Sequence, residues 1–477
     1  MRRVIIHPLL RPLIALPILL LIMHALKAQW YRLGKGKGKS MSKTSDTGVQ
    51  NEETEYPNPN GQRIVVGHFM LGNTYPFQPE DWERVFSLAQ DTSLDGLALN
   101  IGPEEWQLSQ AQVAYNILSS RPTPSNARPL KLFLSLDMNV LSPSPSELST
   151  LIIKVISSGR DSQMRWDGKV LLSTFSGHSL GDDGWIDVLR LVERGLGEEV
   201  TFWPAFFMPP EDFLGKSYVD GAFAWNNAWP MGNHTINLEE DRPFLESKIP
   251  YMAAVSPLFF THYGTEGEFG WNKNWIYRSD DLLLPSRFLS LLSLPNSRSP
   301  SIVQLISMND YGESHNLFPV MGAQPGSDSW TSGMDHEGLR WISKYFLQRW
   351  RDGKGEVEGI DEVKLVLWYR TKPAVMETED SVGRPRNADW AQDLINLFII
   401  IPSSSPSSRY MLQIRNGPHL HRRHLSCEKL NLLTVPFVPG QVTYEILENE
   451  KMIIQGEGKA IEAEGAWNFN MWSGGVF

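Results

Sequence analysis

Two carboxylate side chains, Asp310 and Glu313, are the sharpest candidates for chemistry in this sequence. They lie three residues apart in the run NDYGESH (309–315), directly after an apolar, β-prone segment. Hydrolysis of a glycosidic bond needs such a pair: one protonated carboxyl for the leaving oxygen, and one carboxylate as base or nucleophile. Three residues span about 10 Å when extended and about 5 to 6 Å on a helical turn, so this spacing admits both inversion and retention. In the alternative interpretation, Asp310 caps a following helix and Glu313 lies on its surface.

Other polar side chains stand at the ends of further apolar runs. They are His68, Asn100, Asp137, Trp225, Asn226 and His315. A single residue of this kind is commonly a loop cap or a satisfied buried group. Several of them at the carboxyl ends of parallel strands would converge, however, and barrel enzymes build their sites there.

Aromatic residues are a second indication of a carbohydrate ligand. The chain contains 17 tryptophans, and seven of them fall mostly in or beside predicted strand-to-helix loops. These seven are Trp106, Trp203, Trp225, Trp229, Trp271, Trp275 and Trp330. Ring faces stack on the C–H faces of sugars, although core packing is the commoner role of any one ring. Trp225 and Trp229 are the predicted sugar-stacking residues.

The elements that would position these residues alternate regularly. Eight short apolar runs occur at 63–69, 96–101, 131–137, 170–175, 201–207, 221–225, 251–256 and 302–309. Amphipathic stretches separate them, such as 80–90 and 147–156, which place apolar residues on one helical face. Eight strands in βα alternation over about 290 residues indicate a (β/α)8 TIM barrel, here expected over residues 61–355.

After residue 355 the pattern changes to strands without intervening helices. Apolar runs at 363–369, 394–401, 410–415 and 442–447 are separated by Pro, Ser and Gly clusters. This pattern predicts an all-β, sandwich-like C-terminal domain over residues 356–477, which would serve as an accessory domain.

The N-terminus reads as a targeting segment. Residues 1–43 hold nine Lys or Arg and no acid, and an apolar run fills 12–28. Residues 1–30 are therefore expected to be a signal peptide, with an uncleaved signal anchor as the alternative, and residues 31–60 a disordered linker. The expected location is secreted or in the cell wall, or alternatively anchored in a membrane as a type II protein.

Composition excludes several classes of protein. The net charge of −10 argues against a nucleic-acid partner. A single cysteine, Cys427, permits no intrachain disulfide and no Cys-rich zinc site. A metal-dependent barrel hydrolase would need a His pair after the first strand, where His68 stands alone, so no metal is expected. His421 and His424 lie in a basic run that reads as a solvent-exposed loop.

Five stretches together resemble glycoside hydrolase family 71, the fungal α-1,3-glucanases or mutanases. They are GHFMLGNTY (67–75), DGLALNIG (95–102), FLSLDM (133–138), YVDGAFAWN (218–226) and NDYGESH (309–315). The resemblance is strongest over 63–352 and continues weakly to the C-terminus. Family members commonly have aromatic residues at the positions of Leu136 and Met308, but both carboxylates are present here.

The resemblance implies an endo-acting hydrolase of fungal cell-wall α-1,3-glucan that inverts the anomeric carbon and uses neither metal nor cofactor. Asp310 and Glu313 would be the catalytic pair, with Glu313 as acid and Asp310 as base, or in the reverse order. Asp137 and Asp220 would bind substrate or orient the pair. His68, Asn100, Asn226 and His315 would contact sugar hydroxyls. The protein is expected to be a monomer, and the rival hypothesis is a catalytically inactive glucan-binding wall protein on the same fold.

Overall fold

Eight parallel strands make up most of the larger sheet in the computed structural model, which describes residues 63–122, 128–352, 362–402, 408–427 and 430–477. In chain order they are β1 (Ile64–Met70), β2 (Gly96–Ile101), β3 (Lys131–Asp137), β4 (Lys169–Phe175), β5 (Val200–Ala205), β6 (Ala222–Ala224), β7 (Tyr251–Val255) and β8 (Ile302–Leu305). A two-residue strand, Arg165–Trp166, pairs with β4 in the antiparallel sense. A strand covers all or part of each of the eight predicted runs, although the run at 302–309 is strand only over Ile302–Leu305. Nearly every residue in these runs is buried, as in a parallel sheet covered on both faces.

The strand order in this sheet is β5-β4-β3-β2-β1-β8-β7-β6. Strands β1 and β8 pair in parallel, with Ile64 opposite Ile302, so the sheet curls back on itself. No ladder joins β5 to β6 within the described ranges; instead, the N–H groups of Asp220 and Gly221 donate to the carbonyl of Phe202 at 3.0 and 3.3 Å. The fold is therefore a mixed α/β fold with a curled, mostly parallel sheet, and complete closure into a barrel stays a prediction.

Helices connect most of the parallel strands. They are α1 (Pro79–Asp91), α2 (Glu105–Ser120), α3 (Pro145–Ser157), α4 (Gly181–Leu196), α5 (Pro210–Phe213), α6 (Arg242–Leu245), α7 (Leu283–Leu292), α8 (Asp328–Thr331) and α9 (Glu337–Asp352). Helix α1 begins at Pro79, after a backbone N–H of Gln78 that donates to Asp81 Oδ2 at 2.8 Å. Its buried face contains Trp82 and Phe86, as the 3.6-residue periodicity predicts.

A two-stranded hairpin, Phe260–His262 with Asn274–Ile276, lies between β7 and β8, and the described residues from 362 onward form two antiparallel sheets of four strands each. The strands are β9 (Lys364–Arg370), β10 (Leu394–Ile400), β11 (Tyr410–Asn416), β12 (His419–Leu425), β13 (Leu430–Pro436), β14 (Val442–Glu448), β15 (Lys451–Glu457) and β16 (Met471–Val476). The sheet orders are β13-β10-β9-β16 and β12-β11-β14-β15. The predicted change to an all-β pattern is therefore observed. The run that contains His421 and His424 is the edge strand β12, so the predicted loop at this position is wrong.

Helix α9 joins the two parts of the fold. Its Tyr345 packs edge-on against Phe398 of β10, with ring centroids 5.1 Å apart, and the N–H of Leu339 donates to Ser473 Oγ of β16. All described residues fall within one compact unit, Tyr56–Phe477. The predicted boundary at residue 355, the targeting segment 1–30 and the linker 31–60 lie outside the described residues.

Within the described ranges, no helix is both long and apolar enough to cross a bilayer.

Candidate active site

The loop after β8 carries both candidate carboxylates. Its base is closed by the N–H of Ser307, which donates to the carbonyl of His315 at 3.0 Å. The N–H of Asp310 donates to Ser307 Oγ at 2.8 Å, and the N–H of Glu313 donates to Asp310 Oδ1 at 3.0 Å. One oxygen of each carboxylate consequently lies within 4.8 Å of the other. The residues after Asp310 form a turn and no helix, so the helix-cap interpretation does not apply.

Glu313 is held by two nitrogen-bearing side chains. His315 Nε2 lies 3.2 Å from its Oε2, and Lys273 Nζ lies 3.5 Å from its Oε1. Burial by itself would raise the pKa of Glu313, but the hydrogen bond from His315 and the charge of Lys273 lower that pKa to about 2. Glu313 is therefore an ionised carboxylate over most of the pH range.

Asp310 has the opposite character. Burial, and then the negative charge of Glu313, raise the pKa of Asp310 to about 6. Two carboxyl groups this close cannot both ionise easily, so the proton stays on the one whose charge is less well compensated. The environment thus leaves one acid and one base side by side at mildly acidic pH.

His68 lies within this cluster, at the carboxyl end of β1. Its Nδ1 is 3.0 Å from Gln304 Nε2 of β8, and its ring packs edge-on against Trp225 with centroids 4.7 Å apart. Burial, followed by the charge of His315, lowers the pKa of His68 to about 3. His68 is therefore a neutral ring that accepts at Nδ1.

Asp137 shares the electrostatic environment of the pair. It ends β3, and the N–H of Asn139 donates to its Oδ1 at 3.2 Å. Burial raises the pKa of Asp137 to about 6, and the charges of Lys273 and Glu313 act on it. Asn100 is buried at the end of the neighbouring β2. The structure thus brings both predicted residues to the same edge of the sheet as the pair.

Asp220 does not belong to the cluster, and its predicted role is corrected here. Its Oδ2 accepts from the N–H of Phe202 at 2.9 Å, near the amino end of β5, and its charge interacts with that of Lys169 at the amino end of β4. It therefore joins β5 to β6 at the opposite edge of the sheet. Asn226, which follows β6, is partly exposed at the carboxyl edge.

Trp229 is also placed differently from the prediction. It is only 1 % exposed, its indole N–H donates to the carbonyl of Leu258 at 3.0 Å, and its ring stacks on Tyr277 with centroids 5.5 Å apart. The ring centroids of Trp229 and His315 are 5.7 Å apart, so Trp229 packs against the His315 ring. A side chain covered in this way has no face for a sugar. Trp225, at 9 % exposure, is packed mainly against other rings.

The most exposed aromatic side chain near this edge is Tyr75. It is 67 % exposed and packs edge-on against Trp106, with centroids 5.4 Å apart. Its segment is tied to the loop after β8, because Asn73 Nδ2 donates to the carbonyl of Asn309 at 2.9 Å. Tyr75 is therefore better placed than Trp229 to stack on a sugar.

His315 was predicted to contact hydroxyl groups of the substrate, but both of its ring nitrogens already have partners. Nδ1 lies 3.0 Å from Ser307 Oγ, and Nε2 faces Glu313. Sequence reasoning also missed Ser307 and Lys273. Ser307 lies two residues before the quoted motif and could have been noticed, whereas Lys273 lies 40 residues before Glu313, in a loop without any recognisable pattern.

Asp310, Glu313 and His315 form a group with the spacing of metal ligands, within the part of the chain that the structure describes. The charge of Lys273 at 3.5 Å from Glu313 already compensates that carboxylate, and a cation there would be repelled. The arrangement therefore fits proton transfer better than metal binding.

A cavity of about 830 Å³ lies elsewhere, at the amino-terminal edge of the sheet. Arg63, Asp95, Lys131, Arg160 and Glu198 are among its lining residues. None of the carboxylate cluster lines it, so it is not the candidate site.

Comparisons with known proteins point to one family. The family model of glycosyl hydrolase family 71 matches residues 61–477. A glucan endo-1,3-alpha-glucosidase of Schizosaccharomyces pombe is 30% identical over 358 residues, covering 72% of this chain and 80% of that protein. A mutanase of Penicillium rubens is 28% identical, covering 88% and 91%. An ascus wall endo-1,3-alpha-glucanase of Schizosaccharomyces pombe is 27% identical, covering 83% and 92%. These matches confirm the resemblance inferred from the sequence motifs.

Proposed function

The chain belongs to glycosyl hydrolase family 71 and is a glycoside hydrolase, and from this premise we propose that it cleaves the α-1,3-glucosidic bonds of fungal cell-wall α-1,3-glucan. The names of its relatives support this substrate, since each is a glucan endo-1,3-alpha-glucosidase, a mutanase or an endo-1,3-alpha-glucanase. The same names support endo action on internal bonds. An acid/base mechanism on the protein's own carboxylates needs no cofactor.

The observation that carries the proposal is the unequal surroundings of the two neighbouring carboxyl groups: His315 Nε2 and Lys273 Nζ lie 3.2 and 3.5 Å from oxygens of Glu313, whereas Asp310 faces the negative charge of Glu313. Between pH values of about 2 and 6, Asp310 holds a proton while Glu313 is ionised. Environments that push two pKa values apart assign the acid and the base. We therefore assign Asp310 as the general acid and Glu313 as the general base, which reverses the order favoured from the sequence and adopts the one left open.

The reaction then follows from these roles. Asp310 donates its proton to the glycosidic oxygen as the bond from the anomeric carbon to that oxygen breaks. Glu313 takes a proton from the water that attacks the anomeric carbon, and a new reducing end results. His315 and Lys273 stabilise the negative charge of Glu313 before the water binds.

Stereochemistry is proposed to be inverting, as the family resemblance implies. Inverting enzymes typically hold their carboxyl groups roughly 6.5–9.5 Å apart, to make room for water. Here one oxygen of each lies within 4.8 Å. Inversion thus requires the two side chains to separate when glucan and water enter, and NMR of the first anomer released tests this directly.

Several residues are proposed to bind the glucan around this pair. His68, Asn100, Asp137 and Asn226 would bind hydroxyl groups, and Trp225 would limit the depth of the site. Their support is their place at the carboxyl edge of the parallel sheet, where the pair also lies. Tyr75 replaces Trp229 as the proposed stacking residue because of its exposure.

The wider setting of the enzyme is proposed on the sequence. Secretion to the cell wall fits the apolar run at 12–28 and the proposed substrate, and membrane anchoring is the alternative. The proposed protein is a monomer. It has a closed (β/α)8 barrel over residues 61–355 and a β domain over residues 356–477. An inactive glucan-binding protein is disfavoured, since such a protein would not need a pair of carboxyl groups with opposed pKa values.

Release of reducing sugar from insoluble α-1,3-glucan tests the function, with α-1,4- and β-1,3-glucan as controls. The wild type should act on α-1,3-glucan, whereas Asp310→Asn and Glu313→Gln should lose about 10²–10⁴-fold in rate while remaining folded. A wild type that binds α-1,3-glucan but hydrolyses no glucan would favour the inactive binding protein instead.

A further inference from the structure

A short antiparallel hairpin lies against the catalytic loop. Its strands are Phe260–His262 and Asn274–Ile276, with Asn274 opposite His262. The N–H of Phe260 donates to the carbonyl of Glu313 at 3.2 Å. One strand of this hairpin is thus attached directly to the backbone of the proposed catalytic base.

The hairpin delivers Lys273 to the carboxylate pair. Lys273 directly precedes the second strand, and its carbonyl accepts from the N–H of Tyr263 at 2.6 Å, at the start of the hairpin loop. Its ammonium lies 3.5 Å from Glu313 Oε1, and the side chain is 30 % exposed. The charge of Lys273 also acts on Asp310 and Asp137. A displacement of this one side chain would therefore change the pKa values of three carboxyl groups.

The far edge of the hairpin is held by residues 380–387, which connect β9 to β10. The N–H of Arg386 donates to the carbonyl of Asn274 at 3.0 Å, and the N–H of Ile276 donates back to the carbonyl of Arg386 at 3.1 Å. Asn387 Nδ2 donates to the carbonyl of Ile276 at 3.1 Å. The segment thus lies alongside the hairpin as a further strand-like partner.

Side chains strengthen this attachment. Asn274 Nδ2 donates to the carbonyls of Val382 and Gly383 at 3.2 and 3.0 Å, which turns its Oδ1 towards His262 Nδ1 at 2.9 Å. His262 Nε2 lies 3.0 Å from Asp380 Oδ2, in a pair that is 6 % and 5 % exposed. Both ring nitrogens of His262 therefore face acceptors.

We propose that residues 380–387, which belong to the antiparallel part of the fold, set the position of Lys273 against Glu313 by clamping the hairpin through Asn274. Asn274 is then a positioning residue, and the C-terminal part takes part in catalysis and is more than an accessory domain. This inference rests on the proposed function of the carboxylate pair. It needs no contact between the C-terminal part and the glucan.

Asn274→Asp tests the clamp, because a carboxylate would face the carbonyls of Val382 and Gly383 and repel them. Asn396→Asp is the matched control: Asn396 is buried and joins Leu282 to Trp368 across the same two parts, but does not touch the hairpin. Lys273→Met removes the charge, and Lys273→Arg keeps it. Thermal melting is used to check that each variant is folded.

The readout is the titration midpoint of Glu313, measured by NMR on protein labelled with ¹³C-carboxyl glutamate. Loss of one signal in Glu313→Gln assigns the Glu313 resonance. The pH profile of kcat is a second readout. The groups that act on Glu313 are Lys273, His315, Asp310 and, at longer range, His68, Asp137, Tyr263 and Tyr277. Among these groups, Lys273 is the one that both lies in the hairpin loop and carries a full positive charge. Its displacement should raise the titration midpoint of Glu313 by about one pH unit or more.

We expect this rise in both Lys273→Met and Asn274→Asp, a smaller change in Lys273→Arg, and none in Asn396→Asp. The double variant Lys273→Met/Asn274→Asp should titrate like Lys273→Met alone, since Asn274 acts through Lys273. A folded Asn274→Asp protein with a wild-type Glu313 midpoint would overturn the proposal, as would additive shifts in the double variant. The NMR titration does not depend on hydrolysis, so a wild type inactive on every glucan would refute only the proposed function.

Discussion

Nε2 of His315 lies 3.2 Å from Oε2 of Glu313, while Nδ1 of the same ring lies 3.0 Å from the hydroxyl oxygen of Ser307. Ser307 in turn accepts from the N–H of Asp310. Nε2–H can donate to Glu313 while Nδ1 and the Ser307 hydroxyl share the second hydrogen bond of the ring. The proposed base, Glu313, is thus oriented by a chain of hydrogen bonds that starts at the backbone N–H of the proposed acid, Asp310.

Replacing His315 with Ala should raise the pKa of Glu313, since the hydrogen bond from His315 lowers it. The base works only when ionised, so the acidic limb of the kcat profile should move to higher pH. Loss of a hydrogen bond to a charged group also predicts a fall in kcat of about ten- to a hundredfold. His315→Gln should recover part of the loss, and His419→Ala, at an exposed position of β12, should change nothing. An unmoved acidic limb in folded His315→Ala would contradict the role assigned to this ring.

The acid and the base can be told apart by the leaving group. Fluoride needs no proton to depart, so Asp310→Asn should still hydrolyse α-glucosyl fluoride while losing glucan hydrolysis. Glu313→Gln should lose both, and added azide should restore turnover of the fluoride. Fluoride release by the two variants is the measurement, and the opposite pattern would return the roles to Glu313 as acid and Asp310 as base.

The pH dependence of kcat/KM should be bell-shaped. The rate should rise as Glu313 loses its proton above a pKa of about 2, and fall as Asp310 loses its proton above a pKa of about 6. Because the two groups interact, these limbs describe the pair as a whole. Initial rates on a soluble α-1,3-linked oligosaccharide between pH 2 and 9 provide the profile. Undiminished activity well above pH 8 would exclude Asp310 as the acid.

A buried ion pair lies against the parallel sheet, where Arg287 Nε donates to the carbonyl of Ala254 in β7 at 3.0 Å. Arg287 of α7 makes two hydrogen bonds to Asp241, at 2.6 and 2.7 Å, and both side chains are 0 % exposed. Asp241→Asn leaves the guanidinium charge buried, which should lower the free energy of unfolding by about 3–5 kcal/mol. Urea titration measures this. Asp187→Asn, which breaks the exposed pair with Arg190, should have little effect. A similar loss in both variants would mean that the buried pair is not special.

Tyr75 should matter more for long glucans than for short ones. Loss of its ring in Tyr75→Ala should weaken binding to insoluble α-1,3-glucan by about two- to tenfold, the range expected for one ring contact. Tyr75→Phe keeps the ring and should bind as the wild type does. Sedimentation binding assays and KM for oligosaccharides of increasing length distinguish the two variants. Equal binding by Tyr75→Ala would remove this residue from the substrate contacts.

The order of elements was predictable because it depends on local patterns. Each of the eight parallel strands is an apolar run bounded by turn residues, and helices such as α1 show their buried face in a 3.6-residue period. The motif at 309–315 placed both carboxylates correctly after the last parallel strand. The change to antiparallel strands was visible for the same reason, although the edge strand β12 was missed, since its residues are mostly exposed.

The sequence by itself therefore determined the family, the α/β and antiparallel halves and the position of the two candidate carboxylates, because each depends on a short-range pattern. Only the tertiary structure supports the proposed choice of Asp310 as the group that holds the proton. That choice depends on Lys273, 40 residues before Glu313, and on His315, whose ring is turned by Ser307. The tertiary structure also shows that Trp229 is buried and that Asp220 lies at the opposite edge of the sheet. Burial and charge act through space, so contacts between distant residues fix the pKa values that the spacing of two acids leaves open.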